Sequence, residues 1–168
     1  MKWLGFTAGL VIVVLAHSLL DTFLPGALAY LDPYIILVVY FASGGNLAGT
    51  IVVGVVAGLV QDSFSLSIFG LHAFSLTLSG YLIALLNTRI VLRGSSTFAM
   101  SLAGAVLVNE ATMALLNRIL IRETVGLLDR GLFVRIVFTA VVGGLIHRLL
   151  QTLRSRRARG DGPIQRRW

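Results

Sequence analysis

Residues 54 to 81 read Gly54-Val-Val-Ala-Gly58-Leu-Val-Gln-Asp62-Ser-Phe-Ser-Leu-Ser-Ile-Phe-Gly70-Leu-His72-Ala-Phe-Ser-Leu-Thr-Leu-Ser-Gly80-Tyr81. An apolar run with two glycines four apart ends in an acid, crosses a serine-rich loop, meets a glycine and enters a second apolar run carrying a histidine. This is the pattern of a helical hairpin in a membrane, with a polar end. Gly54, Gly58 and Asp62 stand at i, i+4 and i+8, so a helix places them on one face. In lipid, small residues at that spacing let another helix come close, and packing replaces the hydrophobic effect as the glue. The face reads as a contact face.

The rest of the chain agrees with a membrane reading. Of its 168 residues 57% are hydrophobic and 12% charged, and the mean hydropathy is +0.90. A soluble domain carries about twice that charged fraction. One span needs roughly 20 apolar residues, so the length allows about five or six spans with very short loops and no soluble domain beside them. The chain has no cysteine, which excludes disulfide frameworks, thiolate metal sites and cysteine nucleophiles together. The formal net charge of +7 is concentrated near the C-terminus, in Arg148, Arg154, Arg156, Arg157, Arg159, Arg166 and Arg167. Beside a membrane such a cluster is a topology signal and a contact for anionic lipid. Without an aromatic platform beyond Trp168, it does not read as a nucleic-acid surface.

Trp3 to Leu20 is a first span with no cleavage site after it. Asp32-Pro33 begins a second helix, the acid as N-cap and the proline in the first turn. Ser43-Gly44-Gly45-Asn46 then separates two short apolar segments, Tyr34 to Ala42 and Leu47 to Val60. Residues 71–88, 98–120 and 132–150 complete six. That count puts both termini on one side with Lys2, Arg89, Arg93 and the arginine-rich tail, and the positive-inside rule makes that side cytoplasmic. A re-entrant hairpin over 33–61 would keep the same parity. Arg118 to Arg130 reads as an external connection lying at the interface. Residues 1–153 therefore form an all-α polytopic helix bundle, and 154–168 a basic, disordered cytoplasmic tail. The Arg-Gly-Asp triplet at 159–161 falls on the cytoplasmic side and reads as accidental.

Glu110, in the middle of the fifth span, is the most costly residue to bury. A carboxylate at that depth points to a partner, a cavity or an ion path. The plainer expectation is a structural contact with Asn109, Thr112 or a histidine, or a protonated acid. His17, His72 and His147 stand at no metal-ligand spacing from another donor on their own helices, so no metal or cofactor is expected. Ser63, Ser65, Ser67 and Ser75 lie near Asp62 and His72 in sequence, yet no nucleophile elbow occurs. Their hydroxyls are expected to cap the helix ends, with His72 bonding a loop carbonyl.

The order Asp32-Pro33, Gly58-Leu-Val-Gln-Asp62, Gly70-Leu-His72 and Gly80-Tyr81 resembles the bacterial MreD family of rod shape-determining proteins, most closely over 32–81. The resemblance implies a non-enzymatic inner-membrane subunit of the cell-elongation machinery, one that supports peptidoglycan synthesis. Its partners would be the bitopic protein MreC and, directly or through it, MreB, RodA and a class B penicillin-binding transpeptidase. It also implies a fold similar to the S components of energy-coupling-factor transporters, with short irregular second and third helices.

Two functions follow as expectations. A scaffold would receive a partner's transmembrane helix on the small-residue face of Gly45, Gly49, Gly54 and Gly58, or near Gly143-Gly144. A carrier subunit would bind a vitamin-like molecule near Asp62, Ser65, His72 and Glu110.

Overall fold

The computed structural model describes residues 2–24, 26, 30–65, 68–89, 94–120 and 130–160. Among them are six helices and no strand: α1 (Lys2–Phe23), α2 (Pro33–Ala42), α3 (Leu47–Asp62), α4 (Leu71–Arg89), α5 (Ser95–Leu120) and α6 (Arg130–Gly160). Four segments are long and apolar enough to cross a membrane, namely Trp3–Phe23, Leu71–Thr88, Ser96–Leu120 and Gly131–Leu153. With 10 and 16 residues, α2 and α3 are about 15 and 24 Å long, too short to span alone.

The break between α2 and α3 is built into the sequence. Gly45 adopts φ +69°, a left-handed conformation that side chains resist. Asn46 caps α3, its Oδ1 accepting from the Gly49 N–H at 3.2 Å. Asp32 caps α2, its Oδ1 accepting from the Tyr34 and Ile35 N–H groups at 3.0 and 3.3 Å. Because α2 is apolar on every side, it belongs in a core rather than on a surface. Seven of its ten residues, Pro33 to Val39, are buried, as is Ala42. The other helices surround it, and Phe6, Val53, Leu76, Ile83, Phe98, Leu102 and Val106 complete the core.

Side-chain contacts fix which ends lie together. At one end Phe6 meets Phe41, Tyr40 meets His147, and Phe98 stacks on His147 at 4.2 Å. Asn87 donates there to the Ser43 carbonyl at 2.5 Å. This end gathers the starts of α1, α3 and α5 and the finishes of α2, α4 and α6. The opposite end gathers Asp32, Asp62, His72, Glu110 and Arg135.

Two boundaries differ from expectation. α1 continues through Asp21 to Phe23. α6 runs past 153, where the disordered tail was to begin, as far as Gly160. Arginine is a good helix former, and cations suit a helix C-terminus. The interfacial segment expected after Leu120 and residues 161–168 lie outside the described residues.

Candidate functional site

The hairpin of α3 and α4 is zipped along the face that the glycines mark. A Cβ built on Gly54 would lie 2.7 Å from the Thr77 Cα, and one on Gly58 would strike the Cα of Ala73 and come within 2.7 Å of the His72 carbonyl carbon. One turn further on, Asp62 meets the start of α4. The antiparallel pairing of Gly54 with Thr77 and of Gly58 with Ala73 keeps one register, and Asp62 follows one turn on, bonding the chain at Gly70 where α4 begins. The close approach expected of this face is therefore made within the chain: α4 fills the groove at Gly54 and Gly58 that the scaffold reading reserved for a partner helix. Gly49 lies over its own cap residue Asn46, and Gly45 forms the turn. Gly143 instead meets the end of the Leu102 side chain on α5, not a backbone.

Asp62 ends the zipper as a cap across the loop. It is 3% exposed. Its Oδ2 accepts from the N–H groups of Gly70 at 2.9 Å and Ala73 at 3.2 Å, and its Oδ1 from the His72 N–H at 3.0 Å. The His72 Nδ1 lies 2.8 Å from the same Oδ1. The first N–H groups of a helix lack partners in their own helix, and a carboxylate there is also favoured by the helix dipole. Gly70, at φ +101°, turns the chain so that these groups converge on one acid. His72 thus bonds the carboxylate and not the loop carbonyl expected of it.

The serines divide. Ser63 and Ser65 donate to the carbonyls of Leu59 and Asp62 at the end of α3. Ser75 donates to Asn109 on α5, at 2.6 Å to Oδ1 and 3.0 Å to its carbonyl. A Ser/His/Asp arrangement is not formed by Ser75, whose hydroxyl faces the other helix; Ser67 lies outside the described residues. No group of three His, Asp or Glu side chains placed to hold a metal occurs among the described residues.

Glu110 is apart from Asp62 and His72. Its Oε1 lies 2.5 Å from Arg135 Nη1, and Arg135 Nη2 lies 3.5 Å from Asp32 Oδ2. Gln61 donates its Nε2 to the same Asp32 oxygen at 3.4 Å. One guanidinium from α6 thus stands between two carboxylates, from α2 and α5, with an amide from α3 beside them. This is a correction to the partners expected of Glu110: Asn109 belongs to Ser75, and the Thr112 hydroxyl bonds its own helix at Val108. Arg135 was legible only as one of several charges near the outer end of the sixth span. Its reach to Asp32, 103 residues away, has no local signal.

This layer also carries polar atoms without a hydrogen-bond partner among the described residues: Tyr34 Oη, Gln61 Oε1 and His17 Nδ1. Tyr34 is fully buried and Gln61 is 9% exposed. The His17 ring lies 5.5 Å from that of Tyr34 and 5.1 Å from that of Phe64. The two polar groups at this end therefore differ: Asp62 is saturated, whereas the set around Asp32 keeps unused capacity.

Against known families, the model described as rod shape-determining protein MreD matches residues 2–153. Comparison with curated proteins and with solved structures gives no match.

Proposed function

Since the chain belongs to the MreD family of rod shape-determining proteins, we propose that it is a non-enzymatic scaffold of the bacterial cell-elongation machinery, holding the transmembrane helix of an MreC-type bitopic protein. Through that partner it would support peptidoglycan synthesis by RodA and a class B penicillin-binding transpeptidase and communicate with MreB. Its place would be the inner membrane, with both termini cytoplasmic. The observation that carries this reading is how the polar groups are used: Asp62, His72, Ser75, Asn109, Glu110 and Arg135 all bond across helices of the same chain. They serve to hold a bundle in shape, which is what a docking platform requires.

With Gly54 and Gly58 enclosed, the partner helix is assigned to α1. This helix packs mainly on α2, and its outer side presents Leu4, Val11, Ile12, Leu15 and Leu19. Gly5 has nothing within 4 Å of a built Cβ, so a second helix can come close there. The test is affinity purification from native membranes with wild type and Gly5→Leu, the captured proteins being identified by mass spectrometry. Recovery of a bitopic protein with cell-wall synthases, reduced by Gly5→Leu, is the expected result. Full recovery with the variant would rule out the α1 face.

One observation favours a second reading, a binding subunit for a small polar molecule. Tyr34 Oη and Gln61 Oε1 are deeply buried polar atoms, and such atoms nearly always have partners. A carrier would use these groups with Asp32 and Glu110, leaving Asp62 and His72 to the hairpin. Small-molecule mass spectrometry on the same purified sample separates the two: a stoichiometric vitamin-like ligand would displace the scaffold reading.

A further inference from the structure

The end of the bundle opposite Asp62 holds a cation of another kind. Arg148 is exposed on α6, five residues before the end of the apolar segment at Leu153. Its Cα thus lies roughly 7.5 Å inside that end, within reach of the headgroup level along a side chain that can extend toward it. Arg135 on the same helix faces two carboxylates, whereas no described carboxylate meets Arg148.

Beside Arg148 the surface is grooved. A depression of about 210 Å³ between α5 and α6 is lined by Ser96, Ala99, Ala140, Val141, Gly144 and Leu145, with Arg148 at its rim. That volume would hold about seven water-sized groups. The groove exists because three of its residues are alanine or glycine. Gly144 has only the Ala99 Cβ near it, at 3.6 Å from a built Cβ. The stacked pair of His147 and Phe98 fixes the two helices against each other at this level. The walls are apolar, while the rim carries a cation and the Ser96 hydroxyl in the first turn of α5.

We propose that this groove is a binding site for an anionic phospholipid. The phosphodiester is held by Arg148 and Ser96, and one acyl chain lies over Gly144 between Ala140, Val141 and Leu145. Charge complementarity selects the occupant: a cation on a lipid-facing surface, with no acid beside it among the described residues, meets the phosphate of the leaflet it stands in. An arginine is suited to that planar, two-oxygen contact. The site differs from any diffuse attraction of lipid by the tail arginines, because it requires a groove as well as a charge. It depends only on membrane insertion and not on the identity of a protein partner.

The test is native mass spectrometry of the delipidated full-length protein titrated with phosphatidylglycerol and, separately, phosphatidylcholine. Wild type is expected to bind one phosphatidylglycerol with a preference of roughly tenfold, the size of one good charge-assisted contact. Arg148→Gln should remove the preference. Gly144→Phe, which fills the groove and leaves the charge, should remove retention of the lipid. A variant with Arg154, Arg156, Arg157 and Arg159 all changed to Gln should keep both. Equal retention by Arg148→Gln and wild type, or loss only in the tail variant, would overturn the proposal. Displacement of the lipid by inorganic phosphate alone would also overturn it, since the groove would then contribute nothing. Arg148 is exposed, so its replacement leaves the bundle folded, and a thermal melt of each variant checks this.

Discussion

Asp62 and Asp32 are each 3% exposed and stand at the same end of one bundle, yet they hold it together in different ways. Asp62 bonds residues eight to eleven positions away, over distances of 2.8 to 3.2 Å. Asp32 caps α2 at short range and then reaches Gln61 and Arg135, 29 and 103 residues away, over 3.4 and 3.5 Å. The first is a local lock that closes one hairpin. The second is a loose junction where four helices meet, with polar capacity to spare. The bundle is therefore tightly bonded at one corner, and its spare polar capacity lies around Asp32, Gln61 and Tyr34.

Substitutions sharpen this contrast. Gly58→Leu should have the largest effect, because the new side chain has to occupy the backbone position of Ala73 and His72. We expect loss of the folded bundle in detergent, read as a shift to aggregate on size exclusion, whereas a monodisperse variant would mean that the α3 and α4 backbones are further apart. Asp62→Ala comes next. It leaves three backbone N–H groups at the start of α4 and the His72 ring without their acceptor, a cost of about 3 kcal/mol or more, measurable as reduced resistance to unfolding in mixed micelles.

Arg135→Met should be comparable or slightly milder, about 2 to 3 kcal/mol, since it leaves Glu110 and Asp32 uncompensated. Glu110→Gln should cost about 1 kcal/mol or less, because Asp32 still faces the guanidinium and the amide can still accept from it. A double-mutant cycle of Arg135→Met with Glu110→Gln checks the pairing: additive effects would show that the two side chains do not interact in the membrane. Tyr34→Phe is the smallest. Removing a hydroxyl that has no partner among the described residues should leave stability within about 0.5 kcal/mol of wild type, and a larger loss would reveal a partner for Tyr34 Oη, such as a bound molecule.

The same contrast explains what could be read from sequence. The i, i+4, i+8 spacing of Gly54, Gly58 and Asp62 marked a contact face, and Gly70 and His72 lay within eleven residues of the acid. What the spacing could not give was the occupant: a small-residue face is equally suited to a neighbour in the chain and to a foreign helix, and here α4 takes it. Asp32-Pro33 and Gly45-Asn46 carried the ends of α2 and α3 in their own chemistry, so the short helices were legible too. The role of Asp32 in joining α2 to α6 was not, because it rests on Arg135, brought alongside by the packing of three intervening helices. The groove beside Arg148 has no signal in the sequence for a related reason, being defined by side chains that Ala99, Ala140 and Gly144 lack.

On the proposed reading, this family member acts through the shape of its bundle and not through a titrating group. The most direct test is complementation in a rod-shaped bacterium depleted of its own MreD-family protein, using this chain with Glu110→Gln. Rods of normal width at wild-type protein levels are the expected result. Round cells, with the variant folded and present in the membrane at the same level, would contradict that reading and make Glu110 a working acid.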